Sequence, residues 1–281
     1  MFVLRINRKR EGNKMAKIGF IGMGNMGYAM LKGALKVFSK EELVFTDVNS
    51  ERVKYVAETT GVSYVESNAE LANCAKFIVL AIKPQFYAQV IKNIENIVKK
   101  DNVVISIAPG ISVGSLKDAL GFDARIVRAM PNTPALLGEG MTGVCYDQTS
   151  FSFEEKDVIA KLFSSFGKYK LVDERLMSAV TCVSGSSPAY VYMFIEALAD
   201  SAVKYGMPRE AAYEMAAQTV AGAAKMVLET KEHPAKLKDQ VCSPGGTTIA
   251  GVAALEEYGF RNSIIKATDA CYSVAEGFKK K

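Results

Sequence analysis

The sequence predicts an α/β protein, a doubly wound parallel sheet followed by an all-helical domain, and three observations carry that expectation. From Lys17 to about residue 172, short β-branched or apolar runs alternate with segments that repeat apolar residues at helical spacing. From Glu174 onward the strand signals stop and alanine-rich helical patterns take over. Between the first strand-like run and the first helical pattern stands Gly22-Met23-Gly24-Asn25-Met26-Gly27, at the head of the expected sheet.

Strands are expected at Lys17–Gly22, Leu43–Asp47, Phe77–Ala81, Val103–Ile107 and Arg125–Met130, followed by Met141–Cys145 and Lys168–Val172. Helical patterns run through Ala29, Leu31 and Leu35, and over Gln85–Val98 and Glu154–Phe166; beyond the strands they cover Pro208–Thr230 and Gly246–Tyr258. The domain division falls near Val172–Glu174 with no long linker, giving a domain over 16–173 and a helical one over 174–281. Residues 1–15 carry too many charges for the apolar core of a signal peptide and read as a disordered extension, with Met15 an alternative start. The uncharged stretch from Leu176 to Ile195 has the length of a membrane span, but Gly185-Ser186-Ser187-Pro188 breaks it. Two buried helices are expected there, with Pro188 at a first helical position. A helix apolar all round needs cover, and a domain of about a hundred residues finds it in a second subunit, so an oligomer is predicted.

The 281 residues are 49% hydrophobic and 23% charged, ordinary for a soluble globular protein with room for a large core. The net charge of +5 includes the flanking runs Arg8-Lys9-Arg10 and Lys280-Lys281, which read as solvated tails, so neither nucleic acid nor membrane is an expected partner. Cys74, Cys145, Cys182, Cys242 and Cys271 are scattered, with no C-x-x-C pair and a single histidine in the chain. That excludes a zinc site and a disulfide framework, points to no metal, and places the protein in the reducing cytoplasm.

In Gly22-x-Gly24-x-x-Gly27 the first glycine makes the turn, the second admits a pyrophosphate, and the third lets helix pack on strand, so the segment from Gly22 to Gly27 reads as a dinucleotide site. Asp47 ends the next strand, where an acid accepts both ribose hydroxyls and repels a 2′-phosphate. Arg52, Thr46 and Ser50 stand ready to receive such a phosphate, and Asp47 has a helix-capping alternative, so the cofactor is NADH or NADPH with a slight lean to NADH. Ala81-Ile82-Lys83-Pro84 and Ala108-Pro109-Gly110 leave two further strands on the side where ligands of open sheets bind, and are expected to line the nicotinamide. Lys83 has a solvent-directed reading beside a catalytic one; Asn132 either fixes a ligand amide or belongs to a stiff connector.

A second cradle, Ser243-Pro244-Gly245-Gly246-Thr247-Thr248, opens a helical pattern through Ile249, Val252 and Leu255. A helix starting there leaves its first N–H groups without partners, a seat for a small anion. Two cradles suggest two reactants.

With these residues in view the chain resembles the pyrroline-5-carboxylate reductases, the last enzymes of proline synthesis, from Lys17 to near the C-terminus. The matching motifs are Gly22 to Gly27, Ala81-Ile82-Lys83-Pro84-Gln85, Arg128-Ala129-Met130-Pro131-Asn132-Thr133-Pro134, Ser184-Gly185-Ser186-Ser187-Pro188-Ala189-Tyr190 and Ser243-Pro244-Gly245-Gly246-Thr247-Thr248-Ile249-Ala250-Gly251. The resemblance implies a Rossmann domain followed by an all-helical dimerisation domain, in homodimers often assembled further into decamers. It implies cofactor contacts at Asn68, Lys83, the Ala108–Gly110 turn and Glu174, the last serving a partner subunit, and substrate contacts at Gln240, Ser243, Gly245, Gly246, Thr247 and Thr248. Two positions depart from the family: Ser187 stands where many members have glycine, and Gln240 where many have asparagine.

The reaction so implied reduces the C=N bond of a cyclic imine bearing a carboxylate. A protonated imine accepts hydride readily, so no strong acid is needed, which suits a chain with one histidine. Thr248 is expected to hydrogen-bond the ring nitrogen and relay its proton, with Ser243 beside the carboxylate; the alternative is that Thr247 and Thr248 only satisfy a helix end. His233, before Pro234, reads as a helix boundary rather than an acid. A β-hydroxyacid dehydrogenase would want a lysine on the helices flanking Pro188, and none lies between Leu176 and Ile195. A non-catalytic redox sensor would not need the second anion seat.

Overall fold

The computed structural model describes residues 16–121 and 123–277. The expected N-terminal extension and both flanking basic runs lie outside the described residues. Among the described residues eight strands form one sheet in the order β3-β2-β1-β4-β5-β6-β7-β8. They are β1 (Ala16–Ile21), β2 (Leu43–Thr46), β3 (Ser63–Tyr64), β4 (Ala75–Leu80), β5 (Val103–Ser106), β6 (Arg125–Met130), β7 (Gly140–Cys145) and β8 (Gly167–Leu171). The helices of this part are α1 (Asn25–Ala34), α2 (Ser50–Thr60), α3 (Asn68–Cys74), α4 (Tyr87–Ile94), α5 (Val113–Leu120), α6 (Phe153–Ser164) and the short α7 (Met177–Val180).

This is the Rossmann-type arrangement, mostly parallel, with one departure from the parallel sheet expected. β7 runs antiparallel to β6, Arg128 facing Cys145, and β8 then returns parallel to β7. The cause lies in the connections. Between β6 and β7 there is only the one-turn segment Thr133–Leu137, whereas a parallel return requires a crossover of about a dozen residues or more. β3 was not expected because two edge residues show no alternation to read.

Alternation along the strands sends side chains to two covered faces. Ile18, Phe20, Phe45, Phe77, Val79, Val103, Ile105 and Val127 pack in one core with Met30, Leu31, Ile159, Leu162 and Phe163 of α1 and α6. Ile21, Val44, Ile78, Leu80, Val104 and Ile126 pack in the other with Leu71, Val90, Ile91, Leu116 and Leu120 of α3, α4 and α5. Truncating one such buried phenylalanine costs about 3–5 kcal/mol, so the strand ends that carry the site are rigidly held.

By packing the chain divides into two compact units, one reaching Gly185 and including the residues from Tyr272, the other Ser186–Cys271. Residues 174–185 therefore pack with the sheet unit. The second unit holds α8 (Ser187–Lys204), α9 (Arg209–Thr230), α10 (Pro234–Val241), α11 (Thr247–Glu257) and most of α12 (Phe260–Gly277). Pro188 is the second residue of α8, one place after the first helical position expected of it and still in the first turn. The stretch before it is α7 followed by a π turn over Thr181–Gly185 rather than one continuous helix. α8 is not buried by its own chain: of its residues Ala199 is buried, while Tyr192 is 59% and Met193 68% exposed. An unpaired apolar helix surface of this kind is what a subunit interface covers. Among the described residues no helix is long and apolar enough to cross a membrane.

Candidate functional site

The first cradle is built where β1 hands over to α1. After Ile21 the chain turns at Gly22, whose φ of +97° is open to glycine, and the Gly22 N–H donates to the Thr46 carbonyl at 2.9 Å. A Cβ on Gly27 would stand 2.1 Å from the Gly22 carbonyl oxygen, whereas a Cβ on Gly24 would meet nothing within 4 Å. Turn, open approach and close packing thus fall to the three glycines in the expected order. Gly24 caps α1 without a side-chain acceptor, and no acid lies in the first turn, so the helix end is left to an incoming anion. Gly24 and Asn25 are exposed, Met26 is half-buried against the core, and Met23 is fully buried.

Asp47 is not the cap of α2, and each of its oxygens accepts a backbone N–H. Its Oδ2 accepts the Met23 N–H at 2.5 Å and its Oδ1 the Asn49 N–H at 2.8 Å, while Asn49 caps α2 by accepting the Arg52 N–H at 3.0 Å. Arg52 answers with a hydrogen bond from Nε to the Met23 carbonyl at 2.5 Å, its guanidinium lying 4.7 Å from the Tyr28 ring centroid and 5.2 Å from that of Tyr55. Sequence reading did not find the two tyrosines; tyrosines on two different helices carry no signal that they share one cation. Beside Asp47 a cavity of about 600 Å³ is lined by Val48, Ser50, Lys54, Tyr64 and Glu66 among others.

The remaining cofactor candidates lie at strand ends of the same unit. Asn68 opens α3 and is half-buried behind the Ser67 cap, which accepts the Glu70 N–H at 3.1 Å. The Ala81 N–H donates to the Ile21 carbonyl at 2.9 Å, so the turn after β4 is tied to β1. Ile82 is half-buried, Lys83 is exposed, and Pro84 begins a single turn over Pro84–Phe86. Ala108 is buried, while Pro109 and Gly110, with φ of +77°, are half-buried. Tyr87, which sequence reading passed over as one apolar position of α4, donates to the Leu80 carbonyl and meets Ser106 Oγ, both at 3.0 Å. Its burial pushes the phenol up to about 12 against that serine and keeps it neutral. Asn132 spends its amide inside the protein, Nδ2 donating to the Ser184 carbonyl at 3.0 Å and Oδ1 accepting the Met141 N–H at 2.8 Å, so the connector reading holds. Glu174 Oε1 accepts the Val113 N–H at 2.7 Å and a hydrogen bond from Arg128 Nη1 at 3.0 Å.

The second cradle lies in the helical unit. Gly245 has φ of +66°, the Gly246 N–H donates to the Ser243 carbonyl at 3.0 Å, and α11 starts at Thr247 with Gly246 as its cap. No side chain caps this helix and no acid lies in its first turn, so its N-terminal donors face outward, as at α1. Ser243, Gly245, Thr247 and Thr248 are exposed, and so is Gln240 in α10. His233 caps α10, its Nδ1 accepting the Ala235 N–H at 3.2 Å, which is the boundary role expected of it. Among the described residues no group of three or more metal-ligating side chains is assembled.

Comparison with known proteins agrees with this layout. A family model described as pyrroline-5-carboxylate reductase dimerisation matches residues 174–278, and one described as NADP oxidoreductase, coenzyme F420-dependent, matches residues 17–110. The pyrroline-5-carboxylate reductase of Escherichia coli is 47% identical over 94% of this chain and 98% of its own length. A solved pyrroline carboxylate reductase of Plasmodium falciparum with NADP bound aligns at a TM-score of 0.85 and 33% identity, over 95% of this chain and 99% of that one. The pyrroline-5-carboxylate reductase structure from Coxiella burnetii aligns at 0.87 and 32%, over 95% and 100%. A chain with these two cradles, related to such proteins over nearly all of its length and theirs, belongs to the pyrroline-5-carboxylate reductase family.

Proposed function

We propose that this chain transfers hydride from a reduced nicotinamide cofactor to the C=N bond of 1-pyrroline-5-carboxylate, giving L-proline. The observation that carries the proposal is the pair of uncapped helix N-termini behind glycine turns, at Gly24 before α1 and Gly246 before α11. The cofactor supplies the hydride. The protein supplies position: helix-terminal N–H groups hold a pyrophosphate at one end of the chemistry and the substrate carboxylate at the other.

In this reading residues 16–173 are the dinucleotide-binding domain and 174–281 the substrate-binding and dimerisation domain. Gly22 to Gly27 and Asn68 hold the phosphates and ribose, while the cavity beside Asp47 takes the adenosine. The strand-end turns at Ala81–Pro84 and Ala108–Gly110 back the nicotinamide. Gly245, Gly246, Thr247 and Ser243 seat the carboxylate, Gln240 lies beside it, and Thr248 hydrogen-bonds the imine nitrogen and relays its proton. The enzyme works in the cytoplasm as a homodimer at least, with a decamer as the larger assembly.

The lean toward NADH takes Asp47 as the acceptor of the ribose hydroxyls and a charge that repels a 2′-phosphate. Because both of its oxygens already accept backbone N–H groups, and the Arg52 guanidinium lies beside Met23, the site supports NADPH as well. Steady-state reduction of pyrroline-5-carboxylate with NADH and NADPH side by side tests the proposal. Turnover of 3-hydroxyacids with none of the cyclic imine would replace it by the dehydrogenase reading.

A further inference from the structure

We infer that Glu174, acting with Arg128 inside its own subunit, is a positioning residue for hydride transfer: it sets the Ala108–Gly110 turn against which the reduced ring lies. The inference rests on the reductase reading above. Arg128 sits in β6 between Ser106 of β5 and Cys145 of β7, is 3% exposed, and has an Nε without a hydrogen-bond partner. A guanidinium so placed demands a counter-charge. Glu174 meets it at 3.0 Å, and the same oxygen accepts the Val113 N–H at 2.7 Å.

Val113 is the first residue of α5, whose opening N–H groups have no partners within the helix; Ser112 takes the Ser115 N–H, and Glu174 takes that of Val113. The turn from Ile107 to Ser112 is therefore strung between two anchors that share one ion pair. At one end Ser106 is in register with Arg128, and at the other Val113 hangs on Glu174. Stability alone would be served by any acceptor at the helix head. What singles out this one is the turn it anchors, which leaves the carboxyl end of β5, an interior strand, where ligands of open α/β sheets bind.

Full-length Glu174→Gln keeps an oxygen for the Val113 N–H and loses the charge facing Arg128, while Arg128→Lys keeps the charge and loses the fork. For both, kcat, the KM of each reactant, Tm and the isotope effect on kcat with cofactor deuterated at the transferred position are compared with the unaltered protein. Glu174→Gln is expected to lower kcat about tenfold and raise the isotope effect, with cofactor KM within about threefold, since sub-ångström misplacement costs rate before it costs affinity. Arg128→Lys is expected to fall between the two. Unchanged kcat and isotope effect with a lowered Tm would overturn the inference. Dimers co-expressed from Glu174→Gln and a Gly27→Val chain that cannot bind cofactor should stay impaired; recovered activity would mean that Glu174 serves the partner's site, against the inference. Should the unaltered protein not turn over pyrroline-5-carboxylate, the reductase reading fails by itself. The inference is then read from the emission of bound NADPH, which must differ between the unaltered protein and Glu174→Gln; identical spectra would overturn it.

Discussion

The Asp47 carboxylate and the Met23 backbone N–H are joined at 2.5 Å, which makes the acid at the end of β2 a strut of the glycine cradle; in the proposed cofactor site it is also a charge facing the ribose. These two roles separate in two variants. Asp47→Asn retains an oxygen for the Met23 N–H and removes the charge; Asp47→Ser removes both. The ratio of kcat/KM with NADPH to that with NADH should rise about tenfold in both, the worth of removing one like charge from a phosphate seat. Only Asp47→Ser should also weaken both cofactors. Parallel titrations of the two cofactors decide it, and an unchanged ratio would leave Asp47 as a strut alone.

The cradle glycines differ in what a methyl group would meet. Gly27→Ala drives a Cβ to 2.1 Å from the Gly22 carbonyl and should cost roughly 1–3 kcal/mol in urea unfolding as well as cofactor binding. Gly24→Ala, with nothing within 4 Å, should unfold like the unaltered protein yet bind NADPH at least about tenfold more weakly, because its methyl enters the side from which the pyrophosphate comes.

Thr248 lies in the exposed first turn of α11, free to reach a ligand. Thr248→Ala should lower turnover by about one to two orders of magnitude with cofactor affinity unaltered, and Thr248→Ser should recover most of it, as expected of one hydrogen bond to the reacting group. Equal turnover of Thr248→Ala and the unaltered enzyme would reduce Thr248 to a helix-end residue.

Glu155 gives the fold an acid limb. Burial disfavours its charge, but hydrogen bonds from Arg125 at 2.7 Å, with the Ser152 N–H and Lys76, outweigh that and hold its carboxyl down at about 2. A depressed folded-state value contributes stability in full above the unfolded value near 4.5, and that stability fades as pH falls toward about 2. Unfolding between pH 6 and pH 2.5 should therefore show a loss of roughly 2 kcal/mol that Glu155→Gln, already destabilised at pH 6, lacks. Equal pH slopes for the two proteins would remove Glu155 from the acid limb.

The strands and both cradles were legible because each leaves a local mark. Short β-branched or apolar runs place β1, β4 and β6 within two residues of their ends, and a glycine triplet between strand and helix is a statement about backbone that needs no tertiary context. β3 left no mark because two edge residues carry no period, and the reversal of β7 left none because strand direction is a property of the connection. Asn132 and Tyr87 show the limit most plainly. An amide after a strand and a tyrosine on a helix look alike whether they meet a ligand or the protein, and here both are satisfied inside.

By itself the sequence determined the order of the main strands and helices, the two glycine cradles and the family, since these rest on spacing, on backbone freedom at glycine and on motif identity. Tertiary structure decided which polar groups remain for a ligand. Asp47 and Glu174 are carboxylates that each accept two hydrogen bonds from their own chain, and only the packing of distant segments could bring Met23 to the one and Arg128 to the other. A buried or strand-end polar group takes whatever partner the fold sets beside it, because leaving it unpaired costs more than any pattern along the chain can express.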